Sequence, residues 1–228
     1  DKVDFGKRIG GDLMEVAAIV IVYSVGLIAP AEFRAIRSVR TMEFRWAVAA
    51  ALGVLVFGTL EGIVAAIVLS MIGLGSQTAH PRVWVIGRQR GADVLRPLSA
   101  EHPDDETFPG LLIVRPEGRL YFVNAQYVAA RIDALVAEHR PRVLALDLSR
   151  VPDVEYSALQ VLAESERRHA QAGVTEWLVG LNPGVLEAVR HSSLAQQFGR
   201  ERMFVNARAA IARWQAQQEV QQAAAPST

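Results

Sequence analysis

The stretch Leu144–Arg168, LALDLSRVPDVEYSALQVLAESERR, is the part of the sequence that most constrains the fold. It opens with an almost continuous apolar run that ends at Asp147 and Ser149, which is typical of a central strand covered on both faces. From Ser157 onward, apolar residues recur at helical spacing opposite glutamates and arginines, which indicates an amphipathic helix. The stretch therefore predicts a buried strand, a short loop and a helix.

The start of this helix has a recognisable local pattern. Ser157 is followed three residues later by Gln160, and this spacing fits a capping box, in which both side chains bind free backbone N–H groups. We therefore expect Ser157 to cap the helix. A helix N-terminus also favours a bound anion, because the helix dipole is positive there.

The chain after His80 alternates between strand and helix patterns around this stretch. Asn124, Asn182 and Asn206 are placed to cap helices, and Pro183 suits the first turn of one. The polar, proline-containing segment 91–110 is predicted to be a loop. Strands are expected at 82–90, 111–114, 119–123, 143–148, 175–181 and 204–205, with the second and third turning at 116–118. Such alternation predicts a small α/β domain whose sheet is covered by helices, with parallel crossovers.

Composition excludes several kinds of site. The 228 residues have a formal net charge of zero, so nothing indicates a nucleic-acid partner. Cysteine is absent, which removes disulfides, thiolate metal ligands and cysteine nucleophiles. His102 with the acidic run 104–106 could suggest a metal site, but an acidic loop is the better interpretation. No metal and no cofactor is expected, and no catalytic constellation supports an enzyme.

Before His80 the chain is strongly apolar. Residues 13–29 are at the short end of the roughly 17–25 residues that span a bilayer, and 31–43 reads as an amphipathic helix at the cytoplasmic interface. The apolar stretch 46–75 carries Glu61 near its middle. Broken at 58–62, it forms a hairpin of helices 46–58 and 62–75 with arginines beyond both ends, which favours an even number of crossings. These helices are too short to span lipid comfortably alone, and a buried helix pair in a soluble protein is the rival interpretation.

Three segments carry a resemblance to a known family. The apolar hairpin GVLVFGTLEGIVAAIVLS at 53–70 precedes ETFPGLLIVRPEGRLYFVNAQYV at 106–128, and LDLSRVPDVEYSAL at 146–159 follows. In this order they resemble the C-terminal part of bacterial SulP-type (sulfate permease) anion transporters, in which the last transmembrane helices precede a STAS domain. The resemblance implies helices ending an inverted-repeat transporter at 1–79, a cytoplasmic STAS-like domain with a mixed sheet at 80–215, and a disordered tail at 216–228.

The resemblance also carries functional expectations. It implies a multi-pass protein of the bacterial inner membrane, in contact with lipid, that forms part of a secondary active transporter for sulfate or a similar small inorganic anion. The substrate site would lie upstream, so none is expected in these residues. A homodimer and a cytoplasmic protein partner of the STAS domain are further expectations, and nucleotide binding is possible only by family analogy. Glu15 and Glu61 are interpreted as interfacial rather than ion-coupling residues.

The Ser157 loop is where the sequence departs from the family pattern. Related anti-sigma-factor antagonists carry an Asp-Ser-Ser-Gly-like run whose serine accepts a phosphate, and the corresponding residues here are Glu155-Tyr156-Ser157-Ala158. Ser157 is thus the candidate for regulatory phosphorylation, and a purely structural helix cap is the alternative. A membrane-anchored regulator of the antagonist type, which would bind a kinase through this loop, is the alternative to a transporter.

Overall fold

The computed structural model describes residues 15–23, 25, 30–39 and 41–224. The chain divides into two compact units, Asp1–Leu74 and Gly75–Thr228. The predicted span 13–29 lies partly outside the described residues, and its described residues 15–23 and 25 are helical.

The described part of the first unit is helical apart from Gly58. Its helices are α1 (residues 15–23), α2 (Pro30–Val39), α3 (Thr41–Phe57) and α4 (Thr59–Ala79), the last of which ends in the second unit. The chain breaks between α3 and α4 at Gly58, where φ is +97°, a conformation that glycine adopts without steric cost. The amphipathic segment does not extend to residue 43 as predicted, because the sequence from Thr41 already belongs to the apolar helix α3.

Helix α4 is longer than the sequence pattern suggested. Its 21 residues make it the one described helix that is long and apolar enough to cross a membrane. At about 1.5 Å per residue it measures roughly 31 Å, close to the thickness of a hydrocarbon core. The prediction that both arms of the hairpin are too short is therefore wrong for α4. The polar residues after Gly75 continue the helix instead of ending it.

The second unit is built on a six-stranded mixed sheet with the strand order β2-β1-β3-β4-β5-β6. Strand β1 is antiparallel to both of its neighbours, whereas β3, β4, β5 and β6 run parallel. The strands are β1 (Val83–Arg88), β2 (Leu95–Pro97), β3 (Leu111–Pro116), β4 (Val143–Asp147), β5 (Thr175–Val179) and β6 (Met203–Phe204). The helices are α5 (Ala125–His139), α6 (Tyr156–Gln171), α7 (Pro183–Arg190), α8 (Leu194–Phe198) and α9 (Ala207–Ala224).

Each face of the sheet has its own apolar core. Helices α5 to α8 pack on one face, where Leu144, Leu146 and Phe198 are completely buried. Helix α9 covers the other face through Ala210 and Trp214, which pack with Trp177 of β5. Strand β4 is buried along its whole length, as its continuous apolar run predicted. The predicted α/β domain with a mixed sheet covered by helices is confirmed.

Two predicted elements of this unit are wrong. Residues 119–123 do not form a strand that turns back on 111–114, because Leu120 makes only an isolated bridge to Val154 and the next residues turn into α5. The segment 91–110 is not simply a loop, since β2 pairs with β1 along the edge of the sheet.

The tail prediction also needs correction. Helix α9 continues to Ala224, well beyond the residue 216 at which disorder was expected. The guanidinium group of Arg142 donates hydrogen bonds to Gln218 and Gln221, and this tertiary contact holds the last turns of the helix. Residues 225–228 lie outside the described part.

Candidate functional site

The loop that delivers Ser157 is held on both sides by hydrogen bonds. On one side lies the segment after β3, where Gly118 N donates to Arg150 O and Leu120 N donates to Asp153 O. In return, Glu155 N of the loop donates to Leu120 O. On its other side, Asn182 Nδ2 donates to the carbonyls of 151 and 152. The loop is thus part of the folded framework, which gives Ser157 a fixed position.

Ser157 itself does not cap α6. The helix begins at Tyr156, and its first backbone bond runs from Leu159 N to the carbonyl of Glu155, which is therefore the N-cap residue. Ser157 lies in the first turn, half-buried, and its hydroxyl has no hydrogen-bond partner among the described residues. The capping-box prediction is wrong, because the bridge between Leu120 and Val154 fixes where the chain enters the helix.

The charges around Ser157 come from two separate parts of the chain. Arg119 lies 2.9 Å from Asp153 and 3.1 Å from Glu155, and all three side chains are at least one-third exposed. Arg119 therefore offsets the two carboxylates that would repel a phosphate on Ser157. Beside them, Phe122 and Tyr156 are 71% and 70% exposed, which is unusual for aromatic rings. No sequence pattern indicated this grouping, because residues 119–123 were predicted to form a strand.

A second polar group lies at the carboxyl ends of the parallel strands. Asp147 of β4 is almost completely buried and pairs with Arg115 of β3 at 2.7 and 2.8 Å. Its other oxygen accepts a hydrogen bond from Ser149 N. With Gly180 and Arg208, these residues line a cleft of about 440 Å³. Clefts at this edge of parallel sheets commonly hold ligands, but here the charged groups satisfy one another.

A third group lies between α5, α6 and β5. The imidazole of His169 places Nδ1 3.1 Å from Glu176 and Nε2 3.0 Å from Asp133, and only 5% of the residue is exposed. Nε2 makes no hydrogen bond of acceptable geometry, so the contact with Asp133 is mainly charge attraction. Ser165 and Arg168 also bind Asp133. The sequence pattern alone would make His169 an ordinary solvated histidine near a helix end, and the structure shows that it is buried instead.

The environment of this group shifts two pKa values in the same direction. Burial alone would lower the pKa of His169, but the hydrogen bond and charge of Glu176, together with Asp133, outweigh it and raise the pKa above 6.5. Burial raises the pKa of Glu176 above 4.5, and the contact with His169 only partly opposes this. The folded domain consequently binds protons at this group more tightly than the unfolded chain does.

This proton binding makes stability depend on pH. Each residue whose pKa is raised stabilises the fold fully below its unfolded pKa, and this stabilisation is lost as pH rises through its folded pKa. The unfolding free energy contributed by His169 and Glu176 together therefore falls as pH rises from about 4.5 through and above 6.5. We expect H169Q to make the unfolding free energy less dependent on pH at the higher pH values of this range, and E176Q to do so at the lower pH values. Thermal unfolding between these pH values measures the slope, with H191Q, an exposed histidine after α7, as the control. A slope unchanged in H169Q would contradict the prediction.

The acidic loop shows no metal geometry. Asp105 and Glu106 are engaged by Arg96 and Arg88, each at 2.8 Å. Within the described ranges, no three His, Asp or Glu side chains are grouped as metal ligands would be.

Comparison with known proteins supports a relationship that covers both units. The STAS domain family model matches residues 102–210. Sulfate transporter 1.1 of Arabidopsis thaliana is 26% identical over 206 residues, which cover 86% of this chain and 32% of that protein. A probable sulfate transporter of Mycobacterium tuberculosis is 26% identical over 85% of this chain and 35% of its own length. The chain thus spans about a third of the length of these relatives.

Residues 102–210 form a STAS domain. The similarity to sulfate transporters extends into the apolar helices before this domain, and this order of segments resembles the C-terminal part of SulP-type anion transporters. The fold agrees: the structure of the murine Solute Carrier 26 family member A9 anion transporter superposes with a TM-score of 0.66 at 20% identity, covering 76% of this chain and 28% of that chain. Ser157 follows the β4 strand of this STAS domain, at the start of its α6 helix.

Proposed function

We propose that the chain forms part of a secondary active transporter for sulfate or a similar small inorganic anion. The supporting observation is the extent of the similarity to sulfate transporters, which covers 86% of this chain. A match of that length cannot be contained in residues 75–228, so it also involves the apolar helices. The anchored regulator of the antagonist type is not favoured, because that function would need similarity only in the STAS domain.

The proposal includes a membrane arrangement. Helix α4 crosses the inner membrane and the STAS domain lies in the cytoplasm, where it serves regulation or assembly. The arginines near both ends of the α3–α4 hairpin, Arg45 early in α3 and Arg82 after α4, support this side of the membrane because basic segments are retained there. The transporter assembles as a homodimer, and its substrate site is formed outside these 228 residues.

Transport by the whole reading frame that contains this chain tests the proposal. Expressed in a cell that lacks sulfate uptake, it is expected to restore accumulation of radiolabelled sulfate, and unlabelled selenate or another small anion should compete. The matched control ends the same protein at Pro81, between α4 and β1, which removes the STAS domain but keeps α4 whole and should reduce uptake or assembly. If neither sulfate nor another small inorganic anion is accumulated by a correctly inserted protein, the proposal is wrong.

Ser157 is proposed as the regulatory phosphoacceptor of the STAS domain. The side chain is half-buried in the first turn of α6, and Arg119 provides a cation nearby. Because its hydroxyl has no partner in the described structure, S157A should change the unfolding free energy by less than about 0.5 kcal/mol. The control N182A removes the real cap of α7 and should cost about 1 kcal/mol or more.

Two measurements complete the Ser157 test. Mass spectrometry of the protein from its own cells should find phosphate on Ser157, and S157D should change anion uptake while S157A keeps the unmodified rate. Absence of phosphate under all growth conditions tested would reject the regulatory role.

A further inference from the structure

An apolar groove lies beside β6, at the edge of the sheet farthest from β2. We name it the edge groove. It has a volume of about 720 Å³, and the residues that matter here are Leu186, Arg190, Ala195, Arg200, Met203 and Val205. We propose that the edge groove binds an extended segment of a partner protein in which acidic residues flank apolar ones, and that this segment adds a strand to β6.

Directly after β6, Val205 has an unpaired backbone, whereas Met203 N within β6 already donates to Arg200 O. Leu178 N and Gly180 N donate to Arg202 O and Phe204 O, so these alternate residues face β5. Backbone groups of successive residues in an extended strand point to opposite sides, which directs those of Val205 away from the sheet. Within the described chain, no hydrogen bond reaches the N–H or the carbonyl of Val205. A free edge of this kind is the feature that strand addition uses.

The side chains give the edge groove an apolar floor. Leu186 of α7 and Ala195 of α8 line it with Met203, and Val205 is 87% exposed. In a bound strand every second side chain would face this floor, so apolar residues are required at alternate positions. The 87% exposure of Val205 is difficult to explain by packing within the domain.

The charges define the partner further. Arg190 and Arg200 both line the edge groove, both are exposed, and neither has an ion pair or hydrogen bond with any described residue. Nearby Arg202 differs, because it binds Glu166 at 3.0 Å and the carbonyl of Phe198. Two unpaired guanidinium groups beside an apolar floor are complementary to carboxylates at the flanks of the bound segment. The partner is therefore acidic, and this inference does not depend on transport.

A peptide selection tests the proposal on the whole chain in detergent. A phage-displayed library of random 12-residue peptides would be selected on the wild-type protein, with R190E/R200E for counterselection. We expect enriched peptides that alternate apolar residues and carry Asp or Glu on both sides. Fluorescence anisotropy with the best peptide would then measure the affinity of each variant.

Four variants separate strand addition from simple charge attraction. R190E/R200E should weaken binding by at least about tenfold, and V205P should do the same because proline has no N–H to donate. R131E, which reverses an exposed arginine on α5, should bind like the wild type. Circular dichroism confirms that each variant is folded, and V205K keeps the backbone donor, so it should retain more affinity than V205P.

Several outcomes would overturn the proposal. They are the absence of any enriched peptide, enrichment of basic peptides, and peptides whose affinity is unchanged by V205P. If V205P instead abolishes self-association measured by light scattering while no peptide binds, the edge groove is a contact between two copies of this chain, and the acidic partner is excluded.

Discussion

D147A should destabilise the STAS domain by about 3–5 kcal/mol, because it removes one partner of a buried ion pair. The side chain of Asp147 is 2% exposed, and the side chain of Arg115 is 12% exposed. Without Asp147, Arg115 would keep its charge in a site with little access to water, and Ser149 N would lose its acceptor. Thermal unfolding of the chain in detergent should show a melting temperature lower by about 10 °C.

A second ion pair of the same residue types provides the control. Asp153 and Arg119 are both more than half exposed, so D153A should cost less than about 1 kcal/mol. A double variant, R115M/D147L, should recover much of the stability lost in D147A, because apolar residues can replace a buried pair without leaving a charge behind. Equal losses in D147A and D153A would show that burial does not govern the contribution of Asp147.

G62L should separate α3 from α4, and it is the variant with the largest expected effect on the membrane helices. A Cβ atom at Gly62 would lie 2.5 Å from Cα and 2.6 Å from the backbone nitrogen of Val54, so even alanine would require the backbone to move. Overpacking in a tight interface costs about 1–3 kcal/mol, and here the clash is with main chain that cannot rotate away. Glycines at such crossings let membrane helices approach closely.

The absence of cysteine makes this prediction easy to measure. Spin labels on cysteines at the exposed positions Leu52 and Val64 should give one narrow distance in the otherwise wild-type chain and a broad distribution with G62L. The control is G75L in the same helix, where a Cβ meets no atom within 4 Å. A narrow, unchanged distance in G62L would contradict the close packing of α3 and α4 at this position.

The comparison of these sites shows which interactions can be anticipated from a sequence. Asn182 with Pro183 predicted the start of α7, and the structure confirms a hydrogen bond from Val185 N to the Asn182 side chain. All the groups involved lie within four residues. The Asp147–Arg115 pair joins residues 32 positions apart, and no local pattern could have selected Arg115 from the chain's other arginines.

At the Ser157 loop, a local sequence pattern was present, but a tertiary contact overrode it. Its local pattern was a good capping box, yet the bridge between Leu120 and Val154 shifted the helix start to Tyr156. Local hydrogen-bonding preferences are worth about 1 kcal/mol, so a tertiary contact that fixes the entering chain can override them. Arg119 pairs with Asp153 and Glu155, in the segment before Ser157, because its own segment does not form the predicted strand.

The sequence by itself determined the alternation of elements, the buried central strand β4, the hairpin break near Gly58 and the resemblance to SulP-type transporters. These depend on hydrophobic periodicity and on backbone preferences, which are properties of consecutive residues. Only the tertiary structure decided which charges meet at Asp147 and His169, where Ser157 lies in its helix, and that β6 leaves the backbone of Val205 free. Those features arise from contacts between distant segments, and their energies depend on burial, which no short stretch of sequence specifies.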